Sequence, residues 1–314
     1  MEVKNSFIRR AIALAMCGVM AFSLTACSND RGSSEDSSIS NPITEPSSGT
    51  PVEPEQTILD SINEAFQVNN DVVGWLTVPG TEIDEPVVQG DNNVEYERAA
   101  WTDAAPNGQK KYDFYGCYFA DAGNTFGNRN DLSRNTIIYG HNMHNVTSGP
   151  KDTLKFGALF KLVDFNNDGT IFGDDVASAS DFSFAQQHPV LYFSTTDDEM
   201  VWVIYAAYFT DLGFQYHLEN PDDATFTAMI KEAKDRSRLD YDVDVNTSDR
   251  ILTLSTCAYK YTDSVEKRDL RFVVQARLLR PGEEIPTSAK VSRNTDVKEP
   301  AQHATSTIAG RSGQ

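Results

Sequence analysis

A mainly β domain is the fold class this sequence predicts, and three observations carry it. Short β-branched and aromatic runs recur along the chain, at residues 190–193, 200–209, 251–257 and 271–278. Turn signals such as Pro79-Gly80 and Pro106-Asn107-Gly108 separate such runs. Helical stripes are few by comparison. On strand pattern alone the architecture is a sandwich or a barrel.

Taken in order, residues 1–27 have the layout of an export signal. Lys4, Arg9 and Arg10 supply the positive start, and the apolar stretch 11–26 is short for a bilayer span. Leu24-Thr25-Ala26-Cys27 resembles a bacterial lipobox, in which Cys27 becomes the lipidated first residue. An uncleaved signal anchor is the alternative; either would tether the chain outside the cytoplasmic membrane. Residues 28–57 are rich in Ser, Pro, Thr, Glu and Asp, too polar to offset ordering entropy, and read as a flexible linker. Leu59, Ile62 and Phe66 then recur at helical spacing, and strands follow at 72–78 and 82–88. Residues 113–121 read as a further strand. The segment 142–155 reads as loop, and 155–163 as a short helix. Phe226, Met229, Ile230 and Ala233 form the apolar stripe of a helix over 224–237, capped near Asp222 or Asp223. The folded domain is assigned to 58–280, and 281–314, without periodicity, to a disordered tail.

Charge and cysteine usage narrow the function. With 27 Lys and Arg against 46 Asp and Glu, the net charge of −19 excludes a nucleic-acid binder, which needs clustered cations against phosphate. Two of the four cysteines lie in the targeting segment, leaving Cys117 and Cys257 for the domain. Cys117 sits in a strand-like run and reads as a packed free thiol. No paired Cys/His spacing suggests zinc.

Cys257 is different. Ile251-Leu252-Thr253-Leu254-Ser255-Thr256-Cys257 reads as a buried strand ending on a thiol, with Ile251, Thr253, Ser255 and Cys257 on one face. Upstream, the run from Asn135 ends in Tyr139-Gly140-His141-Asn142-Met143. Downstream, Arg271 opens a strand with Phe272, Val274, Ala276 and Leu278 on one face and Arg271, Val273, Gln275 and Arg277 on the other. A nucleophile, an imidazole and a cation thus stand at three strand ends.

Those residues resemble the class B sortases. Thr253-Leu254-Ser255-Thr256-Cys257 matches the family's TLxTC nucleophile motif, and Tyr139 to Met143 resembles its histidine segment. Val73-Gly74-Trp75 and Pro86-Val87-Val88-Gln89 are similar as well, and the resemblance covers roughly 59–279. It implies a closed eight-stranded sortase-type β-barrel with N-terminal helices and a helix before the last strands. It also implies a cysteine transpeptidase that cleaves a C-terminal sorting signal after Thr. Cys257 would form the thioacyl-enzyme, His141 would exchange protons with the departing and arriving amines, and Arg271 would steady the oxyanion. Ser255 and Thr256 would shape the substrate groove. The implied partners are surface proteins bearing sorting signals and an amine from a cell-wall precursor or a protein lysine. The implied location is the outer face of the bacterial cytoplasmic membrane, through the N-terminal anchor.

Two other functions compete. An exported Cys–His peptidase would use the same thiol and imidazole with water as acceptor, but papain-like enzymes place the Cys ahead of the His, at a helix start. A lipid-anchored binding protein would suit the lipobox and linker, yet it leaves the three strand-end residues without a reason. No cofactor is required for the chemistry. One stretch does suggest a structural Ca2+: residues 164–175 place Asp164, Asn166, Asp168, the Thr170 carbonyl and Asp175 at calcium-loop spacing, with Gly169 at the sixth position. A surface turn built from Asn, Asp and Gly is the competing reading of that stretch.

Overall fold

The computed structural model describes residues 57–103, 110–143, 154–163, 182–258 and 270–300. The lipobox with Cys27 and the calcium-loop residues Asp164, Asn166, Asp168, Thr170 and Asp175 lie outside them.

The chain enters through α1 (Ile58–Val68). Thr57 caps it: its hydroxyl accepts from Asp60 N, and the Asp60 carboxylate accepts from Thr57 N, a reciprocal pair that satisfies two otherwise orphaned N–H groups. Ile62 and Ala65 are the buried positions, whereas Phe66 of the expected stripe lies at the exposed edge.

Eight strands then close a barrel: β1 (Val72–Thr77), β2 (Asp84–Val88), β3 (Tyr118–Ala120), β4 (Asn135–Tyr139), β5 (Val190–Ser194), β6 (Val201–Asp211), β8 (Ile251–Ala258) and β9 (Leu270–Leu278). Their order around the barrel is β1-β2-β3-β4-β8-β9-β6-β5, closing β5 onto β1. Two pairings are parallel, β2 with β3 and β4 with β8, and the rest antiparallel. Closure leaves no strand edge to pair elsewhere. The expected eight-stranded barrel is therefore what the chain forms. Sequence alternation sets its two faces: Leu252, Leu254, Phe272, Val274 and Ala276 fill the interior, while Ile251 and Val273 face outward under α3 (Asp223–Arg236). A 3-10 helix, Phe156–Val163, adds its apolar side chains to the interior, Phe160 stacking on Phe272 at 4.4 Å.

α3 precedes the last barrel strands, as expected. It is capped by Asp222, whose carboxylate accepts from Thr225 N and satisfies one orphaned N–H of the first turn. α2 (Ser183–Gln187), β7 (Leu239–Tyr241) and β10 (Val291–Arg293) have no counterpart in the sequence reading.

Three expectations need correction. The strand read over 113–121 shrinks to β3, because Asp113 Oδ1 accepts from Tyr115 N and Gly116 N, and Gly116 turns the chain at φ +57°. The tail read as disordered from 281 is ordered through 300: β10 pairs with β7, Arg277 binds Glu283 at 2.7 Å, and Arg238 binds Glu299 at 2.5 Å. Its anchoring is polar, so it leaves no apolar period to read. Third, the expected N-terminal membrane anchor, and with it the location at the membrane's outer face, is not supported. No helix among the described residues is long and apolar enough to cross a membrane. The longest, the 14-residue α3, rises about 21 Å against the roughly 30 Å of a bilayer core.

Candidate active site

Strand register brings the three predicted residues to one rim. In the parallel β4–β8 ladder Tyr139 lies opposite Ser255, so His141, two residues on, comes level with Cys257. In the antiparallel β8–β9 ladder Cys257 lies directly opposite Arg271. Alternation aims all three to the outside of the barrel, and they line one cleft with Asn93, Glu97 and Tyr139 on one side and Leu212, Tyr216 and His217 on the other.

Cys257 is half-buried at the cleft floor, and its carbonyl accepts from Asn142 Nδ2 at 3.0 Å. Asn142 is itself buried and also bridges to Lys155, so it ties the histidine segment to the nucleophile strand. Its place in Gly-His-Asn was visible in the sequence; its role was not. Ser255 exchanges a hydrogen bond with the Tyr216 hydroxyl at 2.9 Å, which fixes the far wall. Thr256 borders the cleft, but its hydroxyl is buried, with no hydrogen-bond partner among the described residues, on the face shared with Leu254 and Ala258. Arg271 is half-buried, with Nη1 donating to the Leu270 carbonyl at 3.0 Å.

His141 is positioned by packing. Its Nε2 lies 2.6 Å from the Glu97 carbonyl, which can only accept, so Nε2 carries the hydrogen and Nδ1 is left to exchange a proton. Gly116 makes the fit possible. A Cβ there would meet the Glu97 oxygen at 2.5 Å and His141 Cδ2 at 3.0 Å, and its left-handed φ favours glycine in any case. Gly140, just before the histidine, lies against the stacked Tyr118 and Phe156 rings, 4.7 Å apart. Glu97 and Gly116 are functional positions the sequence reading missed; the glycine within Tyr115-Gly116-Cys117 was the available signal. Burial holds the imidazole pKa below its ordinary value against the Glu97 hydrogen bond, and the Arg98 and Lys155 cations push the same way. Among the described residues no hydrogen bond joins the Cys257 thiol to His141. Burial therefore favours the neutral ring.

The second domain thiol, Cys117, is buried, donates to the Tyr96 carbonyl and has its pKa pushed up to about 12 by burial, which suits a packed residue. Among the described residues no cluster of His, Cys, Asp or Glu could hold a metal ion.

Comparison with known proteins places this geometry. No family model matches the chain. Sortase B of Listeria monocytogenes is 30% identical over 223 residues, covering 71% of this chain and 75% of that protein. Sortase B of Staphylococcus aureus is 26% identical over 215 residues, covering 68% and 72%. The solved Staphylococcus aureus sortase B–substrate complex superposes with a TM-score of 0.54 at 25% identity, covering 70% of this chain and 85% of that one. With the closed barrel and the thiol, imidazole and guanidinium at one rim, these likenesses show that the chain belongs to the sortase B family of transpeptidases.

Proposed function

We propose that this protein cuts a C-terminal sorting signal after Thr and joins the new carboxyl end to an amine. The observation that carries the reading is the meeting of Cys257, His141 and Arg271 in one open cleft across three neighbouring strands. The Cys257 thiol gives its proton to His141 Nδ1 as its sulfur attacks the threonine carbonyl carbon, the peptide C–N bond breaks, and His141 passes that proton to the departing amine. Arg271 supplies positive charge beside the carbonyl oxygen as it becomes an oxyanion. An incoming amine then attacks the thioester, its proton goes to His141, and the thiolate leaves. Ser255 and Thr256 sit where the peptide would lie, Ser255 by holding Tyr216 in the wall and Thr256 through the strand backbone.

The likeness to a Staphylococcus aureus sortase B–substrate complex supports a substrate-binding role for this chain. The substrates proposed here are surface proteins carrying sorting signals, and the acceptor is a cell-wall precursor amine or a protein lysine. On sequence alone, we also propose a structural calcium ion at residues 164–175, expected to raise the melting temperature on titration of the metal-free protein and not after Asp164→Ala with Asp168→Ala.

The deciding experiment incubates the purified protein with quenched pentapeptides, with and without a triglycine amine, and identifies products by mass spectrometry. An amide-linked product establishes transfer. A free acid in both conditions makes the protein a Cys–His peptidase, and no cleavage of any pentapeptide leaves a binding protein.

A further inference from the structure

Behind the cleft, carboxyl groups from its two walls meet over one glycine. Asp121 follows β3 and is buried. Its Oδ2 accepts from the Tyr139 hydroxyl at 2.7 Å and from Asn93 Nδ2 at 2.9 Å, and its Oδ1 accepts from Gly123 N at 2.9 Å. Tyr139 and Asn93 both line the cleft. Glu219 belongs to the opposite wall, two residues beyond His217. Its segment is pinned to the start of β4: Asn135 N donates to the Glu219 carbonyl at 2.9 Å, and Asn135 Nδ2 donates to the carbonyls of Tyr216 and Leu218. The Glu219 side chain turns back over Gly123. A Cβ there would lie 2.6 Å from Glu219 Oε1 and 3.4 Å from Asp121 Oδ1, so the glycine leaves the space that the two carboxyls share.

Two ionised carboxylates in that space would repel, whereas one shared proton turns the contact into a short O–H···O bond. We propose that Asp121 and Glu219 share a proton, and that this pair is a positioning device that latches the Asn93–Tyr139 wall to the Leu212–His217 wall at the spacing a bound peptide needs. Only the last link, peptide binding, rests on the transpeptidase reading. Burial and the facing Asp121 both raise the Glu219 pKa above its ordinary value. Of the titratable and charged groups on the neighbouring elements, Tyr139 of β4 donates its hydroxyl to Asp121, Tyr216 and His217 precede Glu219 on its own segment, and Arg134 precedes the Asn135 that pins that segment. That arginine is already committed to Asp223 at 2.8 Å and to the carbonyls of Pro221 and Thr247.

The Glu219 carboxyl loses its proton above its ordinary range, and the latch loosens as pH rises. The test combines a 13C-carboxyl NMR titration with peptide KM across pH. In the unaltered protein the Glu219 midpoint is expected above about 4.3 and should drop towards that value in Asp121→Asn. Gly123→Ala, which keeps both carboxyls but fills their space, should lower it too. Peptide KM should rise several-fold as pH passes the midpoint and lose that dependence in Glu219→Gln, which keeps a donor but cannot titrate. A Glu219 midpoint in the ordinary range, or one indifferent to Asp121→Asn, overturns the shared proton whatever the enzyme does. A Glu219→Gln protein whose KM still follows the unaltered pH curve overturns the positioning role. Absence of turnover in every form, with the NMR shift intact, overturns the transpeptidase reading and leaves the pair standing.

Discussion

Cys257 and His141 face the same cleft but are held there by different means. Cys257 sits inside a ladder: all eight residues of β8 are paired with β9, and its other edge is paired with β4. Its place is set by backbone hydrogen bonds that its side chain does not influence. His141 stands beyond the end of β4, held by one carbonyl, one buried asparagine next to it and the close approach of two glycines. The nucleophile side should tolerate changes around it and fail only when the reacting group goes. The imidazole side should be sensitive to small steric changes some distance from the reacting atoms.

The largest expected effect separates chemistry from placement. Cys257→Ala should abolish cleavage while moving the melting temperature by no more than about 2–4 °C, because the ladder does not need the thiol. Turnover measured with a quenched peptide, beside a thermal melt, checks both halves. Residual cleavage near the unaltered rate would remove Cys257 from the reaction.

Gly116→Ala sharpens the contrast. It touches no reacting atom, yet its methyl group would compete with the Glu97–His141 contact, and misplacement by about 1 Å costs roughly 10²-fold. A fall in kcat of that order is expected, and a crystal structure should show the imidazole turned away from the Glu97 carbonyl. An unshifted ring with full activity would mean that packing does not hold His141. Arg271→Ala should cost a comparable ~10²-fold, the scale of one oxyanion donor. It should do so without moving the histidine.

The same contrast explains what could be read in advance. Residues fixed by a ladder announce themselves through period-two alternation: Ile251, Thr253, Ser255 and Cys257 fall on the predicted face, and so do Phe272, Val274 and Ala276. This made the mainly β class and the strand-end positions legible, while the closed barrel followed only from the resemblance of the cysteine and histidine segments to class B sortases. What alternation does not encode was missed. Gly116 acts through a space that only the folded chain defines, and Glu97 through a carbonyl that any residue would supply. β10 and the ordered stretch to 300 are held by Arg238–Glu299, Lys298–Glu232 and Arg277–Glu283 pairs, whose partners lie far apart in sequence or have no period. Asp121 and Glu219, 98 positions apart along the chain, are adjacent only because β3 and the wall after β6 converge at Gly123.

The smallest predicted effect tests the electrostatics of the histidine side. Burial lowers the His141 pKa, with Arg98 and Lys155 adding to it, so the folded protein prefers the neutral ring more than the unfolded chain does. The unfolded chain then binds more protons between the two pKa values. The stability contributed by the neutral ring is fully present above about 6.5, the ordinary imidazole value, and is lost as pH falls through the lowered one. Arg98→Gln removes one of the cations. Its contact with the Phe114 carbonyl is at the surface, so the fold should survive the change. The His141 midpoint, followed by NMR of the ring protons, should move upward, and the acid-side loss of melting temperature should become shallower. Cysteine-side substitutions such as Cys257→Ala should leave that midpoint nearly in place, since no hydrogen bond links the thiol to the ring among the described residues. A midpoint that follows the thiol instead of Arg98 would mean the two sides are electrostatically one unit.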